Sequence, residues 1–396
     1  MSFGSSEITP TTPLQAARID RGWKQAQVIR AVQQQAARDG TPIASAASLK
    51  TMLSRWENGQ PAEAMYQRLL CKVYGLSPDE LGFISRQDAQ RTGTRRVVPA
   101  ISTDTVNYFR NVFAEHIRAD NLLGPHHLVE VVKAQATLLD HLLPSARNTV
   151  KAELTHLACQ YNEFTGWLYQ DSGDSDKAMS FSDRAMDFAL EADDAYKAAY
   201  VLMRKANIAI DQGRPERAIG LTEAALRHGE KLPARIRALI LSQRARAHAT
   251  LRQSSDCMRS IEASDREIHR ARIDDDDLAS YCNPSYIEME AATCWNLMDM
   301  YDAAIPVYER SLAGWPSDGL RRDQGLCLAR LTTAYVGRGD IERACATGRR
   351  AVSVVKIAMS SRSVDELLRL RTRLTPWRRD EGVSDLNGQI RELIAG

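Results

Sequence analysis

Apolar residues recur along this chain at the three- and four-residue spacing that places them on one face of a helix. In the first hundred residues this pattern predicts four or five short helices, each ended by Gly or Pro. The segment "WKQAQVIRAV" directs Val28 and Ile29 inward. The segment "SLKTMLSRWENG" (48–59) predicts a further helix, closed at Asn58 and Gly59 because a C-terminal cap needs a positive φ. No segment is rich in strand-forming residues, so the pattern predicts an all-α protein.

The helical spacing continues behind this region to the end of the chain. Residues 85–100 are polar and basic and contain helix breakers, so we interpret them as a linker. Residues 105–120 and 128–143 then predict two amphipathic helices joined by a Gly-Pro turn. At the other end, residues 363–396 predict terminal helices that cap a helical stack.

From about residue 151 the chain repeats one template five times. A small residue lies in the middle of one helix, a turn follows, and two more small residues occupy fixed positions in the next helix. The second small position recurs after 40, 39, 47 and 40 residues. Small side chains are expected there because they let two helices cross closely. The three series are Gly166, Ala206, Ala245, Ala292, Thr332; Ala178, Ala218, Cys257, Ala304, Ala344; and Ala185, Ala225, Ser264, Ser311, Ala351.

Length, charge and cysteine content narrow the class of protein. A chain of 396 residues predicts two or three domains. The first hundred residues hold 13 Lys and Arg against 8 Asp and Glu, and the rest holds 39 against 42, so a basic front precedes a mildly acidic body. No apolar run reaches the roughly eighteen residues of a membrane span, and no secretory signal is present. Seven widely spaced cysteines predict the reduced thiols of a cytoplasmic protein.

No motif in the sequence supports an enzyme. The chain contains no nucleophile elbow, no phosphate-binding loop and no His or Cys pair at metal-ligand spacing. The adjacent His126 and His127 follow a Gly-Pro turn, where exposed side chains are expected. We therefore expect no catalytic residue, no metal and no cofactor.

Residues 13–83 resemble the Cro/CI-type (XRE) helix-turn-helix family. The resemblance rests on Arg18, Gly22 and Gln25, on "LSRWENG" at the end of the expected recognition helix, and on "LLCKVYGLSPDEL" behind it. In the family, the Gln that opens helix two and the Trp that closes the recognition helix lie about seventeen residues apart. Here Gln25 and Trp56 are separated by 31 residues. The extra residues must lengthen helix two, the turn or the start of helix three.

The resemblance implies that one helix presents its N-terminal residues to base edges in the major groove of double-stranded DNA. The preceding helix would meet the phosphates with its own N-terminus, so Lys24 and Gln25 would contact phosphate. The alternative for each cation is a solvated surface. The residues implied to contact base edges or phosphates are Ser48, Lys50, Thr51 and Arg55.

Neighbouring residues in the same segment are expected to have structural roles. Met52, Leu53 and Trp56 lie on the apolar side of the predicted helix and are expected in the core. Glu57 is expected to support an Arg or a helix end and not to read a base.

The repeat template resembles the tetratricopeptide (TPR) repeat, whose standard length is about 34 residues. The resemblance implies stacked helix pairs in which the first helix of each pair lines a concave face. Amides at such positions suit a peptide backbone, and Met and aromatic residues suit its side chains. The alternative is that these residues pack repeat against repeat. The ligand-binding residues implied are Glu163, Trp167, Met203, Asn207, Arg246, Tyr286 and Asn296.

A helix-turn-helix head followed by TPR repeats resembles the peptide-responsive RRNPP regulators and the XRE-TPR regulators of actinobacteria. The predicted organisation is a DNA-binding domain at 1–84, a linker at 85–100, connecting helices at 101–150, TPR-like repeats at 151–362 and capping helices at 363–396. The resemblance implies a cytoplasmic homodimer that binds DNA and senses a peptide or small-molecule effector, as in quorum sensing, with no membrane partner. The alternative is a TPR scaffold or adaptor whose head does not read DNA.

Overall fold

The regular secondary structure of this protein is helical. Within the described ranges there are 18 α-helices and several short 3-10 turns, and no strand occurs, which confirms the all-α prediction. The helices form two compact units that divide between residues 100 and 101. None of the helices in these ranges combines the length and apolar content that crossing a membrane requires. The computed structural model describes residues 10–83, 101–227, 229–272, 278–315, 321–357 and 359–395, so the predicted linker lies outside the described residues.

In its described part, residues 10–83, the first unit has four helices around one apolar core. Helices α1 and α2 span Pro13–Asp20 and Gln25–Arg38, and helices α3 and α4 span Ala46–Glu57 and Ala64–Tyr74. Each helix buries one apolar stripe, so the four amphipathic surfaces close on one another. The buried residues of this core include Leu14, Val28, Ile29, Val32, Leu49, Leu53, Trp56, Leu69, Leu70 and Tyr74.

The interval between Gln25 and Trp56 contains α2, the connection that follows it and most of α3. Helix α2 has 14 residues, and residues 39–45 form the connection. Helix α3 begins two residues before the predicted start at Ser48, with the Ser45 hydroxyl as its N-terminal cap. This hydroxyl accepts a hydrogen bond from the backbone N–H of Ser48 at 3.4 Å. The helix ends as predicted, where Gly59 has a φ of 89°.

The second unit begins with two connecting helices and continues as a stack of helix pairs. Helices α5 (Thr103–Leu123) and α6 (Val129–Leu142) both pack on α7. Twelve helices then follow as six consecutive pairs, and in the first five pairs the two partners make the most extensive contact. They are α7 (Asn148–Asp171), α8 (Ser175–Glu191), α9 (Ala195–Asp211), α10 (Pro215–Leu226), α11 (Ala234–Thr250), α12 (Ser254–Ile268), α13 (Pro284–Leu297), α14 (Tyr301–Ala313), α15 (Arg321–Arg338), α16 (Ile341–Ile357), α17 (Ser361–Arg373) and α18 (Glu381–Ala395).

The small residues of the repeat template lie where the helices cross. All fifteen predicted positions are buried, which confirms the template. At Gly166 in α7, a Cβ atom would lie 3.0 Å from the carbonyl oxygen of Ala178 and 3.1 Å from the hydroxyl of Ser182, both in α8. A larger residue there would push the two helices apart, because protein interiors are already closely packed.

Helices α5 and α7, at the start of this unit, contact α15 and α17, which belong to its last two pairs. Arg322, in the first turn of α15, forms ion pairs with Asp120 of α5 and Asp171 of α7, which lie 202 and 151 residues away in the chain. The hydroxyl of Ser360, which precedes α17, donates a hydrogen bond to Asp171 Oδ1 at 2.6 Å. The stack therefore closes on itself within the second unit.

Candidate functional site

Helix α3 in the first unit has one buried side and one exposed polar side. Leu49, Leu53 and Trp56 are buried, and Met52 is half-buried against the same core, as predicted. Within the described residues, neither Lys50 nor Arg55 forms an ion pair. The ammonium group of Lys50 and the guanidinium group of Arg55 are therefore available to an external anion. The predicted contact residues on the exposed side are Ser48, Lys50, Thr51 and Arg55, and all four are exposed.

A buried carboxylate at the end of α3 holds the other helices in position. Glu57 is 1% exposed, and it accepts hydrogen bonds from Arg18 Nε at 2.5 Å and Arg18 Nη2 at 2.9 Å. Gln25 Nε2 donates a third hydrogen bond to Glu57 Oε2 at 2.9 Å. The hydrogen bond that Arg18 donates to Glu57 raises the pKa of Arg18, although burial acts against it. These contacts confirm that Glu57 supports an Arg.

The start of α2 carries the two predicted phosphate contacts. Lys24 precedes the helix and is exposed, whereas Gln25 opens the helix and is half-buried. Because the amide nitrogen of Gln25 donates to Glu57, one of its two N–H groups is already used. The exposed Lys24 and the backbone N–H groups of Gln25 and Ala26 are the groups that an anion would meet at this end, since Gln27 N–H already donates to the Lys24 carbonyl.

In the second unit, two of the predicted ligand-binding residues, Glu163 and Asn207, belong to one series of side-chain hydrogen bonds that crosses the first helices of the pairs. Glu163 accepts from Arg204 Nε at 2.9 Å, and Arg204 Nη2 donates to Gln170 Oε1 at 2.7 Å. Gln170 Nε2 donates to Asn207 Oδ1 at 2.5 Å, and Asn207 Nδ2 donates to Gln243 Oε1 at 2.8 Å. We call this series, which crosses α7, α9 and α11, the inner-face network.

The remaining predicted ligand-binding residues are also engaged within the chain. Arg246 pairs with Asp211, and Asn296 Nδ2 donates to the backbone carbonyl of Arg330 at 3.4 Å. The Tyr286 ring lies 5.3 Å from that of Tyr281 in an edge-on arrangement. Met203 is 2% exposed and belongs to the apolar core, so a ligand could not contact it in this conformation. The expected open concave face is thus largely occupied by the protein's own side chains.

Trp167 lies at the centre of a group of three arginines. The guanidinium carbons of Arg362, Arg204 and Arg322 lie 4.4, 4.7 and 5.5 Å from its ring centroid. Its indole N–H donates to Asp120 Oδ2 at 3.3 Å. Cations above an aromatic face are attracted by the ring quadrupole. Trp167 therefore connects the inner-face network, through Arg204, to the contact between the two ends of the repeat unit.

The carboxylates at this contact respond differently to their surroundings. Burial would raise the pKa of Asp171, but the charges of Arg362 and Arg322 outweigh burial and leave this pKa below its usual value. For Asp120, burial is the largest cause and the pKa is raised despite the neighbouring Arg322. Asp323 also has a raised pKa through burial. The charged groups at this contact are therefore partly removed from water, and the neighbouring arginines offset the effect of burial at Asp171 but not at Asp120.

Sequence reasoning missed the residues that make this contact. Asp120, Asp171, Arg322 and Arg362 lie outside the template positions assigned to the concave face, and Arg204 lies beside one. The sequence signal that could have identified such residues is a charged side chain on a helix face that is otherwise small and apolar. Arg204, which lies near Met203 and Ala206, is an example. Which acid pairs with which arginine depends on the curvature of the whole stack, and no local pattern carries that information.

Other candidate chemistry is limited. A surface cavity of about 540 Å³ lies between α14, α15 and α16, away from the predicted concave face, and is lined by residues that include Leu328, Arg349, Arg350 and Val354. The seven cysteines are free thiols, and six of them are buried. In the part of the chain that the structure describes, no group of His, Cys, Asp and Glu has the arrangement of a metal site. His126 and His127 are exposed, as predicted.

Comparison with known proteins supports the fold. No family model matches the chain, and no curated protein matches it. A Rap protein crystallised in complex with competence and sporulation factor has a TM-score of 0.51 at 13% identity, with 96% of this chain and 97% of that chain covered. A signal-transduction ATPase from Pyrococcus horikoshii with a tetratricopeptide repeat sensor has a TM-score of 0.43 at 11% identity, covering 98% of this chain and 66% of that one. The repeat unit is a TPR-like α-solenoid.

Proposed function

We propose that this protein is a sequence-specific DNA-binding transcriptional regulator whose TPR-like unit binds a peptide or small-molecule effector. The observation that carries the proposal is the exposed side of α3. Lys50 and Arg55, which pair with no acid among the described residues, lie there with two hydroxyl residues. Behind them, the buried Trp56 and the Glu57 carboxylate fix the helix to α1 and α2.

This arrangement suits the major groove of DNA. The groove is about 12 Å wide and accepts one α-helix, whose Lys and Arg side chains donate hydrogen bonds to guanine O6 and N7. Ser48 and Thr51 can donate or accept hydrogen bonds at a base edge. Lys24 and the first turn of α2 would contact the phosphates that flank the groove.

The test is binding of the full-length protein to fragments of its own upstream region, measured by fluorescence anisotropy. We expect Lys50→Ala combined with Arg55→Ala to abolish specific binding while the circular-dichroism signal is unchanged. The matched control is Arg118→Ala combined with Arg259→Ala, which removes two exposed arginines from the second unit. Wild-type affinity in the Lys50/Arg55 variant, or an equal loss in the control, would contradict the assignment and favour the scaffold alternative.

We further propose that the protein binds its operator as a homodimer. A helix-turn-helix head reads a half-site, and two-fold symmetry supplies the second one. Two half-sites should then be separated by about 34–36 Å, or one helical turn of DNA. Analytical ultracentrifugation of the complex should show two chains per operator. A single chain bound with full affinity would argue against the dimer.

The proposal of an effector rests on the inner-face network of the second unit. Its amides, Glu163, Arg204 and the ring of Trp167 offer donors, acceptors, charge and an aromatic surface on adjacent helices. The structurally similar Rap protein was crystallised with competence and sporulation factor, which supports a ligand role for this type of stack. A ligand would have to replace part of the network, since its polar groups are already paired.

Native mass spectrometry of protein purified under mild conditions tests for such a ligand. We expect an added mass that shifts the melting temperature upward, and Asn207→Ala should weaken that shift. Gln389→Ala, which changes a half-buried amide on α18, outside the inner-face network, is the matched control. If the purified protein carries no added mass and cell extracts do not shift its melting, the effector proposal fails and the DNA-binding proposal is unaffected.

A further inference from the structure

The contact between the two ends of the repeat unit consists of polar groups. Arg322 Nη1 lies 2.9 Å from Asp120 Oδ1 and 3.1 Å from Asp171 Oδ2. Arg362 Nε lies 3.1 Å from Asp171 Oδ1, which also accepts the hydrogen bond from Ser360. We call these five residues the clasp, and they are Asp120, Asp171, Arg322, Ser360 and Arg362.

The apolar cores of the second unit do not bridge this contact. One cluster of buried apolar residues runs from Val106 to Leu168 and joins α5, α6 and α7. The largest cluster runs from Ala199 to Leu393, in helices α9 to α18. Among the described residues, the two clusters share no buried member. The two ends are therefore held together mainly by ion pairs, hydrogen bonds and the contacts of arginines with Trp167.

A contact of this kind can open at low cost. Separating two apolar surfaces exposes them to water, and the hydrophobic effect opposes this. Separating buried ion pairs gives each charge its hydration back, and this gain offsets much of the lost attraction. The backbone approaches closely at the same place, since a Cβ on Gly124 would lie 3.0 Å from the carbonyl oxygen of Met359. The ends are thus in close contact without being joined by a shared apolar core.

Trp167 places the clasp next to the inner-face network. Its ring contacts two residues of the clasp, Arg322 and Arg362, and it also contacts Arg204 of the network. Arg204 in turn pairs with Glu163 and Gln170. A change in the clasp is therefore transmitted to the network through direct contacts, with one aromatic ring between them.

We infer that the clasp is a reversible closure that holds α5 and α7, at the start of the second unit, against α15 and α17 and covers Trp167. Opening it separates α5 and α7 from α15 and α17 and uncovers the inner face beside Arg204. The closure itself does not depend on the head or on an effector. Only its use as an entrance for a ligand rests on the effector proposal above.

The test compares Arg322→Ala with Arg330→Ala in the full-length protein. The side chain of Arg330 is 12% exposed, close to the 9% of Arg322, and it pairs with the buried Glu290 at 3.0 Å. This pair joins neighbouring repeats and does not connect the two ends. Hydrogen exchange measured by mass spectrometry reports on each helix separately. In Arg322→Ala, amides in the last turns of α5 and the first turns of α17 should exchange about tenfold faster, because these ends then open locally. In Arg330→Ala, the faster exchange should be confined to α13, α14 and α15.

Hydroxyl-radical footprinting supplies a second measurement, because it reports the accessibility of a single side chain. Oxidation of Trp167 should increase in Arg322→Ala and stay at the wild-type level in Arg330→Ala. If Arg322→Ala fails to fold, Asp120→Asn decides the question, since it removes one charge of the clasp with little change in shape. Unchanged exchange at α5 and α17 in a folded clasp variant would overturn the inference. Equal opening in Arg330→Ala would overturn it as well.

Discussion

Arg18 and Glu57 join the first and third helices of the head through two hydrogen bonds, although they lie 39 residues apart in the chain. Glu57 is almost fully buried, and Arg18 is buried except for a small part of its side chain. A buried carboxylate keeps its charge only when it is paired and hydrogen-bonded. This pair, with Gln25 as a third partner, fixes the orientation of α3 and therefore of its exposed side.

We expect Glu57→Ala to destabilise the head by about 3 kcal/mol, since removing one partner leaves the other charge buried and unpaired. Hydrogen exchange in the full-length protein should show faster exchange in α1 to α4 and no change in α5 to α18. The control is Glu63→Ala, an exposed acid in the same unit, whose effect should stay within about 0.5 kcal/mol. A Glu57→Ala head as stable as the wild type would show that the pair does not hold α3.

Lys50 is exposed on α3, and the proposal assigns it a contact with DNA. If the ammonium group contacts a phosphate, Lys50→Ala should reduce the slope of log affinity against log salt by about one. If it contacts a base, the loss should be about 1–3 kcal/mol and limited to operators that carry that base. Anisotropy titrations over a range of salt concentrations separate the two outcomes. A variant with the wild-type slope and the wild-type affinity for its operator would exclude Lys50 from the interface.

The closely packed crossing of α7 and α8 makes Gly166 intolerant of a side chain. Gly166→Leu should destabilise the repeat unit by about 2 kcal/mol or more, because the added atoms meet the Ala178 carbonyl and the Ser182 hydroxyl. Gly220→Leu in α10 is the control, since a Cβ there meets no atom within 4 Å. It should stabilise the helix by about 0.5–1 kcal/mol through helix propensity. Thermal unfolding followed by circular dichroism measures both, and a lower melting temperature in Gly220→Leu would argue against this account.

His116 in α5 gives the second unit a dependence on pH. Burial lowers the pKa of its imidazole, and its buried Nε2 atom finds no hydrogen-bond partner among the residues that the structure describes. Below the unfolded pKa of about 6.5, the unfolded state takes up a proton that the folded state resists, so stability falls as pH decreases. The loss of stability between about pH 7 and pH 5 should be smaller in His116→Phe, measured by urea unfolding. His127→Phe, on the surface, should behave like the wild type; if His116→Phe does as well, His116 is not the group responsible.

Local sequence patterns predicted most of the helices and the repeat template. Small residues such as Gly166 and Ala304 are required by helix crossings within one pair, so their spacing alone identified them. The expected recognition helix was placed within two residues of its start. The two-residue difference arises because Ser45 caps the helix by accepting a hydrogen bond from the backbone N–H of Ser48. The apolar pattern does not show such a cap.

The state of the inner face could not be predicted in the same way. The template placed Asn207 and Glu163 on the same face, and both belong to one hydrogen-bond network. It did not predict which residues pair with them. Arg322 reaches Asp120 only because the small rotation between successive pairs accumulates over the whole stack. A one-dimensional pattern contains the period of the repeat and not this accumulated rotation.

The contact between α15 and the connecting helix α5 changes how such a stack should come apart. In an ordinary linear array each repeat touches only its neighbours, so the terminal repeats fray first and the middle persists. Here the terminal pairs support each other through Asp171, which accepts from both Arg322 and Arg362. Neither terminal pair is free to fray while that contact exists. We therefore expect the helix pairs to unfold in a single cooperative step rather than one after another from the ends.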